Sequence, residues 1–87
     1  MCSYVTVPAQ IAGSAKGPDG WFGVTSASVY FDHPYHAPFE HTLNIDFIDP
    51  AQGPGARVAV ELSAASAREL VRCIEAALAA AGPAAAG

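Results

Sequence analysis

The stretch at residues 41–62, HTLNIDFIDPAQGPGARVAVEL, decides the fold. Apolar and polar side chains alternate in HTLNIDFI (41–48) and again in ARVAVEL (56–62), which is the period of a β-strand with one buried face. The intervening DPAQGPG is rich in Pro and Gly, which interrupt strands and favour turns. Two alternating strands with so short a connection predict an antiparallel pair.

Two further strands are predicted upstream of this pair. GPDG at 17–20 has proline and glycine where a type I turn prefers them, so it separates one strand from the next. The first strand is expected from Tyr4 to about Ile11, with Pro8 confining it to an edge or a bulge. The second is expected from Trp21 to His33, a run rich in Val, Thr, Tyr and Phe.

From residue 63 the apolar period changes from two to 3.6, which indicates an amphipathic helix. Its apolar face consists of Ala67, Leu70, Val71, Ile74, Ala77, Leu78 and Ala81. Two residues qualify as N-cap: Ser63, or Ser66, which forms a capping box with Glu69. Gly82 and the proline after it predict the end of the helix.

These elements predict an α+β fold in which a four-stranded antiparallel sheet carries one C-terminal amphipathic helix on one face, in the order ββββα. Residues 1–82 form the single domain and residues 83–87 a flexible Ala/Gly tail. Strand parity places Val29, Ile45 and Val60 on the helix side, and the opposite, polar face is expected to face water. Ala supplies 19 residues and Val, Ile, Leu, Phe and Trp together only 20, so the core is small and a second subunit or a metal would supplement it.

Charge and composition argue against several classes of partner. The formal net charge is -4 and the four basic residues form no cluster, so nucleic acid and anionic membranes are not expected to bind. No stretch of 18 apolar residues and no signal-peptide pattern is present, so we expect no membrane span and a cytoplasmic location. Cys2 and Cys73 are far apart in sequence and are expected to be free thiols.

The nonapeptide HPYHAPFEH at 33–41 holds all three histidines of the chain. Parity sends His33 and His41 to the helix side at the mouth of the strand 2–strand 3 hairpin, with Cβ atoms roughly 4.5 to 5.5 Å apart. His36 lies mid-loop between two prolines that can fold it back over the pair. Three imidazoles with one open position predict a site for a transition metal, namely Zn, Cu, Fe or Ni.

Two nearby residues are candidates for a further ligand or for a group that supports the ligands. Glu40 lies at the end of the loop, and Cys2 becomes the N-terminal residue when Met1 is removed, with an amine and a thiol that titrate near neutrality. An N-terminal cysteine with a nearby histidine as base would also suit a thiol enzyme. However, the spacing H-x2-H-x4-H matches no metal signature, and a histidine at a strand end is often only hydrogen-bonded to a neighbour.

The alternative function is a non-enzymatic interaction module. Such a module would form a homo-oligomer, or dock on a larger protein partner, through its uncovered sheet face or an edge strand. Trp21, Phe22, Tyr35 and Phe39 would supply aromatic anchors. The sequence does not decide whether the chain is an enzyme.

Four stretches, MCSYVT, GSAKGPDGWF, VYFDHPYHAPFEHTLNIDF and ARVAVEL, together resemble a family of small actinobacterial proteins of unknown function. The resemblance covers Met1 to about Leu78, and FDHP-x-HAP-x-EHTLNIDF is its most specific part. It implies no catalytic residues, because none is established for the family.

Overall fold

The computed structural model describes residues 5–87, which form a four-stranded antiparallel sheet and one C-terminal helix. The strands are β1 (Val7–Gly17), β2 (Gly20–Asp32), β3 (Thr42–Ile48) and β4 (Arg57–Leu62), and they lie in the sheet in that order. The helix α1 spans Ala64–Ala81 and packs on β3 and β4. Single-turn 3-10 helices occupy Pro50–Gln52 and Gly82–Ala86. The predicted α+β fold is therefore confirmed.

The strand register brings the predicted helix-side residues into rows across the sheet. Val29 pairs with Ile45, and Ile45 pairs with Val60 on its other side. GPDG forms the expected tight turn, with Gly17 paired to Gly20. Gly20 has φ +111, a conformation that side chains rarely adopt, so glycine is required at this position.

The predicted bounds of the first strand are wrong. Tyr4 lies outside the described residues, and β1 continues past Ile11 as far as Gly17. The pairing of β1 with β2 is irregular between Gln10 and Gly13, where two residues of β1 oppose one of β2. Pro8 is accommodated because β1 is an edge strand, where a missing N–H need not interrupt a ladder.

Val24 is buried although alternation counted from Ala27 would place it on the other face of β2. Ala27 and Val24 are three positions apart, so strict alternation places them on opposite sides of β2. Both are nevertheless buried, and Val24 lines the same depression as Phe47 and Val58 on the helix side. Val24, which pairs with Gly13 beside the irregular part of the ladder, is thus a buried residue that the sequence pattern does not indicate.

Of the two predicted caps, Ser63 is the one that begins α1. Its hydroxyl accepts the N–H of Ser66 at 3.1 Å. The alternative capping box on Ser66 does not form, because the Glu69 carboxylate is bound instead by the Arg72 guanidinium at 2.7 and 2.8 Å. Gly82, with φ +60, ends the helix and donates its N–H to the carbonyl of residue 79.

The helix covers the sheet incompletely. Val24, Ala27 and Ala56 are the buried apolar residues of the described chain, and α1 contributes none. A depression of about 310 Å³ lies between Val29, Leu43 and Ile45 of the sheet and Leu70, Val71 and Ile74 of the helix. We call this depression the helix–sheet groove. Between residues 5 and 87, no helix is long and apolar enough to cross a membrane.

Candidate functional site

The hairpin between β2 and β3 brings two of the three histidines together. Asp32 pairs with Thr42, so His33 and His41 occupy the next positions across the strand ends. Their rings stack with centroids 4.7 Å apart and planes inclined by 30°. The other side of the His41 ring stacks on Phe31 at 5.8 Å. The three rings form a continuous stack, and because Phe31 also borders α1 at Ala64 and Ala67, the stack lies on the helix side of the sheet.

The hydrogen bonds of His33 fix its orientation. The Nδ1 atom lies 3.1 Å from the backbone carbonyl oxygen of Glu40, which can only accept, so Nδ1 carries the proton. A neutral ring then has its lone pair on Nε2, the form in which imidazole binds metal ions. The Asp32 carboxylate accepts the backbone N–H of His33 at 2.7 Å. The Glu40 carbonyl therefore fixes the ring of His33, and the Asp32 carboxylate fixes its backbone.

A carboxylate on β4 holds the loop between the histidines. Glu61 accepts the backbone N–H groups of three successive loop residues: Tyr35, His36 at 3.1 Å and Ala37 at 2.8 Å. The N–H of Ala37 and then that of Tyr35 are the main causes that lower the pKa of Glu61 below its ordinary value, because they stabilise the ionised form. The Glu61 carboxylate is thus an anion of the chain itself that is bound by three successive backbone N–H groups.

The loop folds onto the sheet face opposite the helix, and it buries polar residues there. Glu61 pairs with Asn44 in the register, so both side chains lie on that face. Thr42 is 0% exposed and Asn44 5%, and the Thr42 hydroxyl donates to the Asn44 side-chain oxygen at 2.7 Å. The expectation that this face meets water is therefore wrong at these two residues, which are buried on the face to which the loop is bound.

Farther along the same face, the polar side chains satisfy one another. The Arg57 guanidinium binds the Asp46 carboxylate at 2.8 Å, and the Tyr30 hydroxyl donates to the other oxygen of Asp46 at 3.2 Å. Burial, and then the charge of Asp46, raise the pKa of Tyr30. These groups form a closed network and offer no open coordination position.

The geometry separates the predicted metal ligands into two groups. His33 and His41 are adjacent, whereas the backbone of His36 is bound to Glu61 on the opposite face. Glu40 contributes its backbone carbonyl to His33, and Cys2 lies outside the described residues. Within the described chain, no three His, Cys, Asp or Glu side chains come close enough together to hold a metal ion. A metal-binding role for these residues stays a prediction.

The four predicted aromatic anchors do not form one patch. Trp21, beside the β1–β2 turn, is 71% exposed, and Phe22 is half-buried against Gly17. Tyr35 and Phe39 are exposed in the loop at the other end of β2. The larger exposed apolar surface is instead a row along α1, which we call the α1 stripe: Leu70, Val71, Ile74 and Leu78, which are 42%, 55%, 51% and 55% exposed.

Sequence patterns indicated the histidine pair, through parity, and did not indicate Glu61. Its partners are backbone N–H groups 24 to 26 residues away, and backbone donors leave no trace in residue identity. The only available signal was an acidic residue on the same sheet face as Asn44, its partner in the register.

Comparison with known proteins gives one match. A family model described as a family of unknown function (DUF6295) covers residues 1–87. No curated protein and no solved structure matches the chain significantly. The chain therefore belongs to this family of unknown function, DUF6295.

Proposed function

We propose that the chain is a protein interaction module that forms a homodimer through the α1 stripe and the helix–sheet groove. The observation that carries this proposal is the exposure of the stripe: four large apolar side chains in a row on one helix, each 42% to 55% exposed. Contiguous apolar surface of this kind marks interaction sites in soluble proteins. The edge strands and the aromatic loop residues are secondary candidates for contact.

The accessible surface area and the radius of gyration of the chain are both larger than expected for a compact monomer of its size, which supports a missing partner. A compact monomer of 8.9 kDa is expected to expose about 4,800 Å². The chain exposes 6325 Å², so the excess is greater than roughly 1,000 Å², and a stable interface needs about 800 Å² from each partner. The radius of gyration is 14.4 Å, against about 12 Å for a compact chain of this length.

A second copy fits this surface better than an unrelated occupant because the surface is self-complementary. In a two-fold dimer the same patch meets itself, so an apolar stripe on one copy is covered by an apolar stripe on the other. The groove beside the stripe has almost no polar lining apart from Arg68, so it offers few groups to orient a polar ligand.

The test is the oligomeric mass of two matched variants measured by light scattering after size exclusion. Ile74→Asp places a charge in the stripe, whereas Ala76→Asp places the same charge on the opposite side of the same helix. We expect a dimer for wild type and for Ala76→Asp and a folded monomer for Ile74→Asp. Loss of the dimer in both variants, or in neither, would overturn the proposal, and so would a monomeric wild type.

Metal binding by the predicted histidines is the second candidate function, and one observation favours it. The rings of His33 and His41 are 4.7 Å apart, and the Glu40 carbonyl directs the lone pair of His33 to Nε2. Two imidazoles at this separation would supply two of the four ligands of a tetrahedral zinc site after the rings rotate out of the stack, so that one nitrogen of each faces the ion. His36, Glu40 and Cys2 are the candidates for a further ligand, and water or a substrate would take the open position.

Elemental analysis of tag-free protein tests this second function. After growth in medium supplemented with Zn, Cu, Fe and Ni, we expect about one ion per chain and its loss in His33→Ala and His41→Ala. The His36→Ala variant separates a three-histidine site, in which the ion is lost, from a pair completed by another group, in which it is retained. Wild-type protein without stoichiometric metal would overturn this function.

A further inference from the structure

Two charged residues, Arg68 and Glu75, flank the α1 stripe and form no ion pair within the described chain. Arg68 and Glu75 are seven residues apart, so they lie on the same flank of the helix, two turns from one another. Arg72 and Glu69, by contrast, form an ion pair within α1 at 2.7 Å. Within residues 5–87, neither Arg68 nor Glu75 takes part in an ion pair.

We propose that α1 of one copy packs antiparallel against α1 of a second copy, with Arg68 of each chain paired to the partner's Glu75. This inference rests on the proposed homodimer and adds its register and direction. In paired helices the charges beside the apolar seam set the partner and the orientation. Because both residues occupy the same heptad position, an antiparallel two-fold pairing produces two reciprocal ion pairs.

The same register matches the apolar residues. When Arg68 lies level with the partner's Glu75, the antiparallel run of both helices places Leu70 within one residue's rise, about 1.5 Å, of the level of the partner's Ile74. Ala67 then lies within two residues' rise, about 3 Å, of the level of the partner's Leu78, so a small residue lies near a large one, as close packing prefers. Val71 meets its own copy near the two-fold axis. One register therefore satisfies the stripe and both charges.

A parallel pairing does not satisfy the charges. It brings the two Arg68 side chains to one level along the helices and the two Glu75 side chains to another, so like charges lie near one another. The antiparallel arrangement also opposes the two helix macrodipoles, which a parallel pair would align. Charge and dipole both favour the antiparallel direction.

Charge reversal tests the register. We expect Arg68→Glu and Glu75→Arg each to weaken dimerisation about tenfold or more, since each turns two attractive pairs into two repulsive ones. The double variant, which exchanges the two charges, should recover most of the wild-type dissociation constant. Glu69→Arg makes the same charge change on the opposite side of α1 and should alter the constant by less than about threefold.

Cysteine cross-linking tests the direction independently of charge. In a background in which Cys2 and Cys73 are replaced by Ser, Val71→Cys lies at the axis and should form an interchain disulfide with oxidised glutathione. Leu78→Cys lies far from its own copy in an antiparallel pair and should not form one.

The two proposals fail in different ways. The antiparallel register is overturned if the charge reversals leave the dissociation constant unchanged, or if Leu78→Cys forms the cross-link and Val71→Cys does not. Either result leaves the proposed homodimer itself intact. A wild-type chain that stays monomeric overturns both.

Discussion

Replacing Thr42 with valine probes the buried polar pair beneath the loop. Thr42 is fully buried, and its hydroxyl donates to Asn44 at 2.7 Å. Valine has nearly the same shape and no donor, so the Asn44 oxygen is left buried without its partner. Such an unsatisfied group costs about 1–3 kcal/mol of unfolding free energy.

The assay is urea unfolding followed by tryptophan fluorescence, at one fixed chain concentration because dimerisation adds to the measured stability. In a domain of this size, each kcal/mol lowers the melting temperature by about 4–8 °C, which thermal unfolding should reproduce. Thr25→Val is the matched control, since Thr25 is exposed and its bond to Asp49 is long, at 3.4 Å. We expect it to change stability by less than about 0.5 kcal/mol. Equal effects of the two substitutions would refute the burial of this face by the loop.

Three further predictions concern Glu61, which binds the loop, the buried residue Val24, and the N-cap residue Ser63 of α1. Glu61→Gln should destabilise the protein at pH 7. The pKa of Glu61 in the folded chain lies below the ordinary 4.5, so its ionised form stabilises the fold above pH 4.5. The difference in unfolding free energy between wild type and Glu61→Gln should therefore shrink as the pH falls below 4.5. Urea titrations at several pH values that show a constant difference would contradict this prediction. Val24→Ala should cost about 2–3 kcal/mol in urea unfolding because it empties a buried site, whereas Val7→Ala, at a position 56% exposed, should cost well under 1 kcal/mol. Similar costs would argue against the burial of Val24. Ser63→Ala should lower stability by about 1 kcal/mol and Ser66→Ala by less, and the reverse order would assign the cap to Ser66.

The parts of the fold that could be predicted depend on local periodicity. Strands β2, β3 and β4 and helix α1 each repeat their pattern over several residues, and the parity that pairs Leu43 with Leu62 also brings His33 and His41 together. The histidine pair is thus a direct consequence of alternation carried to the strand ends.

The parts that could not be predicted depend on contacts without a local pattern. The β1 irregularity between Gln10 and Gly13 and the burial of Val24 beside it are not indicated by the apolar pattern. Glu61 binds backbone groups distant in sequence. Periodicity identified the apolar face of α1 but not what covers it, because an apolar face has the same pattern whether its own sheet or a second chain buries it.

The proposed dimer surface lies near the histidine pair and away from the loop that Glu61 binds. The Phe31–His41–His33 stack begins beside the first turns of α1, so a second copy seated on α1 would lie near the histidine pair. The loop clamped by Glu61 occupies the other face and stays clear of the dimer surface.

Sedimentation equilibrium of the wild-type chain over a wide range of concentrations tests the proposed self-association most directly. The exposed α1 stripe and the excess surface predict a reversible rise in mass from 8.9 kDa to twice that value. A mass of 8.9 kDa at every concentration would contradict it.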